Sequence, residues 1–219
     1  MKAENSPVRY PALALLEYDS VAVGIRAADG MVKRAPIALL KSGTVHPGHY
    51  LVLVAGSVAA VTESHALGVE AGDGLLLDHV LLPEVHAQVH DGCLGARQAL
   101  ESEALGVLET RTVASLLRAA DAAVKGAAVR IAAIRLADGL GGRAFVLFDG
   151  LVADVEAALE IGSARLPVDR LLTCTIMPRL DAAVRAALNA GTRFGPCAPL
   201  EPAGAEAAES LGHGAELEW

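Results

Sequence analysis

The chain has 219 residues, of which 53% are hydrophobic and only 3% are aromatic. This composition suits one large domain or two domains of about a hundred residues, with cores of Ala, Val and Leu. The net charge is −8 and no Lys/Arg cluster is present, which excludes nucleic acid and anionic membrane as expected partners. The apolar runs are too short for a membrane span, and three Cys without CxxC spacing favour a reducing compartment. We therefore expect a cytoplasmic protein.

The chain contains an internal duplication. The phrase AADGMVK at 27–33 returns as AADAAVK at 119–125, and thirteen of the twenty-nine columns are identical when 12–40 is aligned with 104–132. Later segments align in the same order, with Pro83 matching Pro178. Two copies with so long a period predict two similar domains rather than a solenoid.

Each copy predicts the same elements in chain order. A short buried strand comes first, and Ser20 or Thr112 then offers an N-cap oxygen to a helix. Apolar residues at helical spacing follow, and Pro36 ends the first helix. A β-hairpin, a second helix, a fourth strand and a short last helix complete each copy. The apolar positions of the first helices are Val21, Ile25, Ala28 and Val32, and Val113, Leu117, Ala120 and Val124.

The order β-α-β-β-α-β is that of the ferredoxin-like fold, an α/β (α+β) arrangement with a four-stranded antiparallel sheet and both helices on one face. We predict a first domain over 12–92 and a second over 104–194, joined by a Gly-containing linker. Residues 195–219 are rich in Pro, Gly, Ala and Glu and predict a flexible acidic tail.

The segments ALGVLET, AADAAVK and TIMPR, repeated in the first copy as ALALLEY, AADGMVK and LLPEV, resemble the bacterial microcompartment shell domain. Two such domains in this order resemble the unpermuted tandem-domain subgroup of the propanediol-utilisation type. The resemblance covers about residues 12–190. It implies a homotrimer that mimics a hexamer, tiles with other shell proteins around an enzyme core in the cytoplasm, and passes metabolites through an axial pore.

The resemblance also implies roles for individual residues. In the family the hairpin loops meet at the axis, so ten residues become candidate pore linings. The Lys of the AADxxxK phrase lies at the tile edge, and the Arg after the strand-four proline is its partner there. Lys33, Lys125 and Arg179 match these edge positions, whereas the first copy has Glu84 in place of the Arg. The candidate pore residues are Thr44, Val45, His46, Pro47, Gly48, Asp138, Gly139, Leu140, Gly141 and Gly142.

No catalytic constellation stands out. GLGGRA at 139–144 formally fits a dinucleotide fingerprint, but a strand follows it instead of the helix that the fingerprint requires. We expect its glycines to serve a hairpin loop with positive φ angles. The two His of HAQVH at 86–90 have a metal-compatible spacing without a third ligand, and His65 and His79 lie singly. Cys174 alternates with Leu172 and Ile176, which predicts a core thiol. We expect no enzyme activity and no resident cofactor.

Two alternatives to a simple shell tile remain open. Trimeric ferredoxin-like proteins that sense small molecules share the topology, although their effector loops are long and the hairpin loops here are short. The second alternative is a shell trimer with a metal or electron-transfer site at the pore. Proteins of the resembling subgroup hold an iron–sulfur cluster through a Cys in the first loop, but this chain has no Cys before Cys93. Three copies of His46 form the alternative metal site, or simply line a polar pore.

Overall fold

The computed structural model describes residues 8–200 and Pro202. The predicted element order is confirmed in both halves. The first half comprises β1 (Ala12–Tyr18), α1 (Val21–Arg34), β2 (Leu39–Val45), β3 (His49–Gly56), α2 (Val58–Glu70), β4 (Leu76–Leu82) and α3 (Ala87–Cys93). The second half comprises β5 (Ala104–Thr110), α4 (Val113–Gly126), β6 (Arg130–Leu136), β7 (Ala144–Gly150), α5 (Val152–Ser163), β8 (Leu171–Met177) and α6 (Ala182–Ala190).

Each half forms one antiparallel four-stranded sheet. The strand orders are β2-β3-β1-β4 and β6-β7-β5-β8, so the first strand of each half lies between the third and the fourth. Leu15 pairs with Leu53 on one side and with Val80 on the other. This topology is the predicted ferredoxin-like arrangement, and in both sheets the second strand of the half is an edge strand.

Local sequence signals set the helix ends. The Ser20 hydroxyl accepts a hydrogen bond from the Val23 amide at 3.4 Å and caps α1, as predicted. The same helix ends at Arg34, where Ala35 is extended ahead of Pro36, because a residue before proline is disfavoured in the α conformation.

The two faces of the first sheet have different neighbours. One face, with Ala14 and Leu16, packs under its own helices α1 and α2. The opposite face, with Leu13, Leu15 and Val80, belongs to a larger apolar core that continues into the second domain. A shared hydrophobic core therefore holds the two domains together. Side chains alternate along each strand, so the same strand supplies apolar residues to both faces of the sheet.

Among the described residues, those up to Arg179 form a compact unit that holds both sheets, and those from Leu180 onward belong to a second unit that holds α6. Asp181 caps α6, since its carboxylate accepts a hydrogen bond from the Ala183 amide at 2.8 Å. None of the α6 residues is buried. Within the described residues, no helix is long and apolar enough to cross a membrane.

Candidate functional site

The junction between the two domains is formed by α4, which lies on the open face of the first sheet. This helix contacts β4 and β1 of the first domain as well as its own sheet. Arg118 donates to the backbone carbonyl of His79 at 2.8 Å, and Arg170 donates to the carbonyl of Leu77 at 3.2 Å. Apolar packing and polar bonds thus both fix the second domain against strand β4.

Two carboxylates of the first domain hold the start of α4. Glu17 is fully buried and accepts from the Val113 amide at 3.0 Å, so it occupies the positive end of the helix dipole. Asp78 accepts from the Thr112 hydroxyl at 2.5 Å and from the Ser115 hydroxyl at 2.6 Å. Thr112 is the N-cap residue of α4 as predicted, but the expected capping bond of its oxygen is wrong, because its hydroxyl donates to Asp78 of the other domain.

The corresponding helix of the first domain, α1, lacks such a neighbour. It buries Gly24, Ala27, Ala28 and Met31, the residues that face its own sheet and α2. The predicted apolar residues Ile25 and Val32 are 52% and 44% exposed. Their equivalents in α4, Leu117 and Val124, are only 0% and 8% exposed. The difference is the footprint of the domain junction on α4, and the same surface of α1 is uncovered in the single chain.

The first predicted pore loop is a tight hairpin. Thr44 and Val45 lie at the end of β2, and the connection itself is His46, Pro47 and Gly48, with Gly48 at φ 122°. All three connecting residues are exposed. Such a φ is available to glycine at little cost, which explains its place in this turn.

The residue after this turn is anchored on the domain junction. His49 Nδ1 lies 3.1 Å from Glu17 Oε1, and His49 Nε2 lies 3.5 Å from Asp19 Oδ1. Burial is the largest effect on Glu17 and raises its pKa above the ordinary value, against the opposing hydrogen bonds from Val113 and His49. One carboxylate therefore connects the base of the first loop to the start of α4.

The second predicted pore loop, residues 137–143, has the positive φ angles that its glycines predicted. Gly139, Gly141 and Gly142 have φ of 74°, 62° and 83°. A Cβ at Gly142 would lie 3.3 Å from the His49 ring and 3.5 Å from Pro47 Cδ, so the two loops touch. Behind them, a cavity of about 250 Å³ is bordered by β2 and by the start of the second loop. The structure brings both sets of candidate residues together within one chain.

The three candidate edge residues have different surroundings. Lys33 forms an ion pair with Asp29 at 2.7 Å and is 73% exposed. Lys125 forms the equivalent pair with Asp121 at 2.5 Å, but it also donates to the carbonyl of Glu84 across the domain junction. Arg179 is exposed after β8. The duplicated Lys–Asp pair thus occurs once on an open helix and once at the junction.

The histidine pairs have structural partners. His86 is the N-cap of α3 and accepts from the Gln88 amide, while His90 is buried against Tyr10 and Asp91. His65 and His79, expected to lie singly, are neighbours at 3.0 Å between ring nitrogens. Burial and this neighbour lower the pKa of His65 to about 4. In the described part of the chain, no group of three or more metal-binding side chains occurs.

The cysteines correct one prediction. Cys174 is exposed on β8 and is not a core thiol in the single chain, because β8 is an edge strand. Cys93 is buried, and burial raises the pKa of its thiol to about 12. Sequence reasoning also missed Glu17 and Asp78, since an acidic residue in an apolar strand shows its partner only when another domain packs on it.

The geometry defines a tandem duplication in which one α/β domain docks its first helix on the sheet of the other. The BMC domain model matches residues 12–85 and 104–180. The shell protein PduT of Citrobacter freundii is 35% identical over 169 residues, covering 77% of this chain and 92% of the relative. A crystal structure of a microcompartment protein from Desulfitobacterium hafniense DCB superposes with a TM-score of 0.70 at 37% identity, covering 80% of this chain and 98% of that one.

A single-domain relative matches as well. The major carboxysome shell protein CsoS1A of Halothiobacillus neapolitanus is 35% identical over 92 residues, which is 40% of this chain and 93% of the relative. The chain belongs to the BMC-domain family, with two tandem copies of the domain. It is a structural shell protein of the microcompartment class.

Proposed function

We propose that three chains close into a ring of six domains, a pseudohexameric homotrimer that tiles with other shell proteins in the shell of a cytoplasmic microcompartment. The observation that carries this proposal is the unequal burial of α1 and α4. The junction within the chain covers Leu117 and Val124, whereas Ile25 and Val32 at the equivalent positions are exposed. A helix-on-sheet contact is heterologous, so repeating it from chain to chain closes a ring when the rotation allows.

The face of the second sheet that would accept α1 of a neighbouring chain is also uncovered. Glu109 of β5 is the equivalent of Glu17 and is partly exposed, and Thr173 of β8 is the equivalent of Asp78 and is exposed. In the ring, Glu109 would face the start of α1 of the next chain, as Glu17 faces the start of α4. Each chain then offers one unfilled sheet face and one uncovered helix.

A matched pair of substitutions tests the ring. Val32→Asp places a charge in the proposed contact, while Val58→Asp changes a valine of similar exposure, 42% against 44%, on the other helix of the same domain. We expect Val32→Asp to raise the dissociation constant of the trimer at least about tenfold, and Val58→Asp to leave it within about threefold. Native mass spectrometry over a dilution series measures both. A monomeric wild type, or equal behaviour of the two variants, would overturn the proposal.

We further propose that Lys33 and Lys125 lie on the outer edge of the ring and support lateral tiling, with Arg179 as a partner at alternate edges. The duplicated Lys–Asp pairs support this assignment, since each chain supplies the motif twice. Lys33→Ala with Lys125→Ala should leave the trimer intact and abolish extended sheets in electron micrographs. Persistent sheets, or loss of the trimer, would contradict the edge assignment. The first copy has Glu84 at the position of Arg179, which predicts that alternate edges of the tile differ in strength.

The touching hairpin loops support a pore on the ring axis for small polar metabolites. His46 is exposed in the first loop, so three copies would present imidazoles to the axis. The loop lacks a thiol, and it therefore does not fit a thiolate-held iron–sulfur cluster. Loading with zinc, followed by dialysis and metal analysis, distinguishes a polar pore from a three-histidine metal site. About one metal per wild-type trimer that is lost in His46→Ala would indicate the metal site, and negligible retention in both proteins would indicate the polar pore.

This proposal assigns no catalytic role to the chain. The first alternative, a small-molecule sensor, predicts discrete trimers that form no sheets and whose melting temperature responds to a nucleotide. The shared junction core and the short loops favour a rigid tile. Electron microscopy of the purified protein separates the two functions directly.

A further inference from the structure

The outer edge of β6 is covered by a segment of the first domain, α3 together with residues 94–103, which we name the strap. The Gln98 amide donates to the carbonyl of Ala132 at 2.9 Å, and the Gln88 side chain bonds the backbone of Val129 and Ile131. Leu100 of the strap is only 3% exposed. The strap therefore covers the edge strand of the second sheet through a backbone hydrogen bond, the bonds of the Gln88 side chain and apolar contact.

The equivalent strand of the first domain, β2, has no strap. Leu40 corresponds to Ile131 in the register of the two sheets, yet Leu40 is 45% exposed and Ile131 is 4% exposed. Within residues 8–200, no backbone hydrogen bond from another segment reaches the outer side of β2 in the way that Gln98 reaches β6. The first sheet thus ends in an open edge with an exposed leucine.

The chain contains a second segment of the strap type. Helix α6 follows β8 at the spacing at which α3 follows β4, and both helices begin with a side-chain cap at the same position, Asp181 or His86. Val184 corresponds to Val89, but Val89 is 0% exposed and Val184 is 48% exposed. Beyond α6, Phe194 is 97% exposed. Leu200 is exposed as well, and several exposed apolar side chains on one segment favour a partner surface.

The polarity of each strap segment can be compared with that of the strand edge it would cover. At the strap within the chain, Asp149 bonds Ser102 and pairs with Arg130, so this contact is polar. The positions of Arg130 and Asp149 are taken in the first sheet by Leu39 and Ala55. The segment 191–200 correspondingly carries Phe194 and Leu200 and has no acidic residue. The acidic and basic pair of the first strap contact is thus absent from both surfaces at these positions, where apolar residues stand instead.

We propose that α6 and residues 191–200 of one chain lie along the β2 edge of the next chain in the ring, as a second strap. This inference rests on the proposed trimer and adds the segment that completes each contact between chains. The occupant of the β2 edge is a second copy of this chain, and the contact buries Val184, Phe194 and Leu40.

Substitutions in the full-length chain test the second strap. Phe194→Asp changes the strap and Leu40→Asp changes the accepting edge, while Val168→Asp alters a valine that is 99% exposed outside the proposed contact. All three positions are exposed, so the fold should survive, which circular dichroism checks. The measurements are the trimer dissociation constant by native mass spectrometry and the hydrogen exchange of the β2 amides.

We expect Phe194→Asp and Leu40→Asp each to raise the dissociation constant at least about tenfold, and Val168→Asp to leave it within about threefold. The β2 amides should exchange slowly in the wild-type trimer and faster in Phe194→Asp. A wild-type trimer that Phe194→Asp and Leu40→Asp leave unchanged, with unaltered β2 exchange, would overturn the second strap and leave the trimer standing. A monomeric wild type would overturn both.

Discussion

Glu17 offers the sharpest test of the domain junction. It is fully buried, accepts a hydrogen bond from the Val113 amide at 3.0 Å and shares a second hydrogen bond with the His49 ring at 3.1 Å. Glu17→Ala leaves both groups without this partner. A buried unsatisfied donor costs about 1–3 kcal/mol, and His49 is 20% exposed and regains some water, so we expect a loss of about 2–4 kcal/mol in unfolding free energy.

The Glu17→Gln variant distinguishes the contribution of the hydrogen bonds to stability from that of the charge. The amide oxygen still accepts from Val113, while the buried ionisable group is gone. Burial raises the pKa of Glu17, so the folded state retains its proton where the unfolded chain, with an ordinary value of 4.5, has lost it. Stability from this group is complete below about pH 4.5 and declines as the pH rises through the folded pKa, by at most about 1.4 kcal/mol per pH unit.

Urea unfolding of the wild type, Glu17→Ala and Glu17→Gln between pH 4 and pH 8 tests this reasoning. We expect Glu17→Gln to lack the decline above pH 4.5 and to be at least as stable as the wild type at pH 7. Glu63→Ala on the surface serves as the control, with a loss below about 1 kcal/mol. A Glu17→Gln variant as unstable as Glu17→Ala at pH 7 would refute the argument, because the charge itself would then hold α4.

Three further outcomes follow from the packing. Gly24→Ala should cost about 1–3 kcal/mol in thermal unfolding, because its Cβ would lie 2.6 Å from Tyr50 Cβ. The control Gly43→Ala meets nothing within 4 Å and should cost less. Equal losses of stability in the two variants would contradict this prediction. Asp149→Ala should cost about 3–5 kcal/mol by urea unfolding, since Asp149 is 1% exposed and accepts hydrogen bonds from Ser102 and Arg130. A loss below about 1 kcal/mol would argue against the strap contact. Cys93 should resist a thiol reagent at pH 8 until the protein unfolds, and rapid labelling in the native state, followed by peptide mapping, would count against its burial.

The element order was predictable because it depends on local signals that the chain states twice. Ser20 and Pro36 mark the limits of α1, and the apolar periods distinguish strands from helices. The glycines of the second loop predicted its positive φ angles for the same local reason. The pore and edge assignments came from the family resemblance, and they stay predictions until the assembly is tested.

The sequence by itself determined that this protein has two similar domains of ferredoxin-like topology, because duplication and periodicity are written in the order of the residues. Only the tertiary structure decided which copy of each surface is covered. Ile25 and Leu117 occupy equivalent helix positions with similar polarity, yet one is half exposed and the other is buried. The exposure of Cys174 and the partners of Glu17 arise in the same way, whereas His65 and His79 meet within the first domain, where α2 packs beside β4. Burial depends on the neighbour across the junction, and that neighbour is distant in sequence.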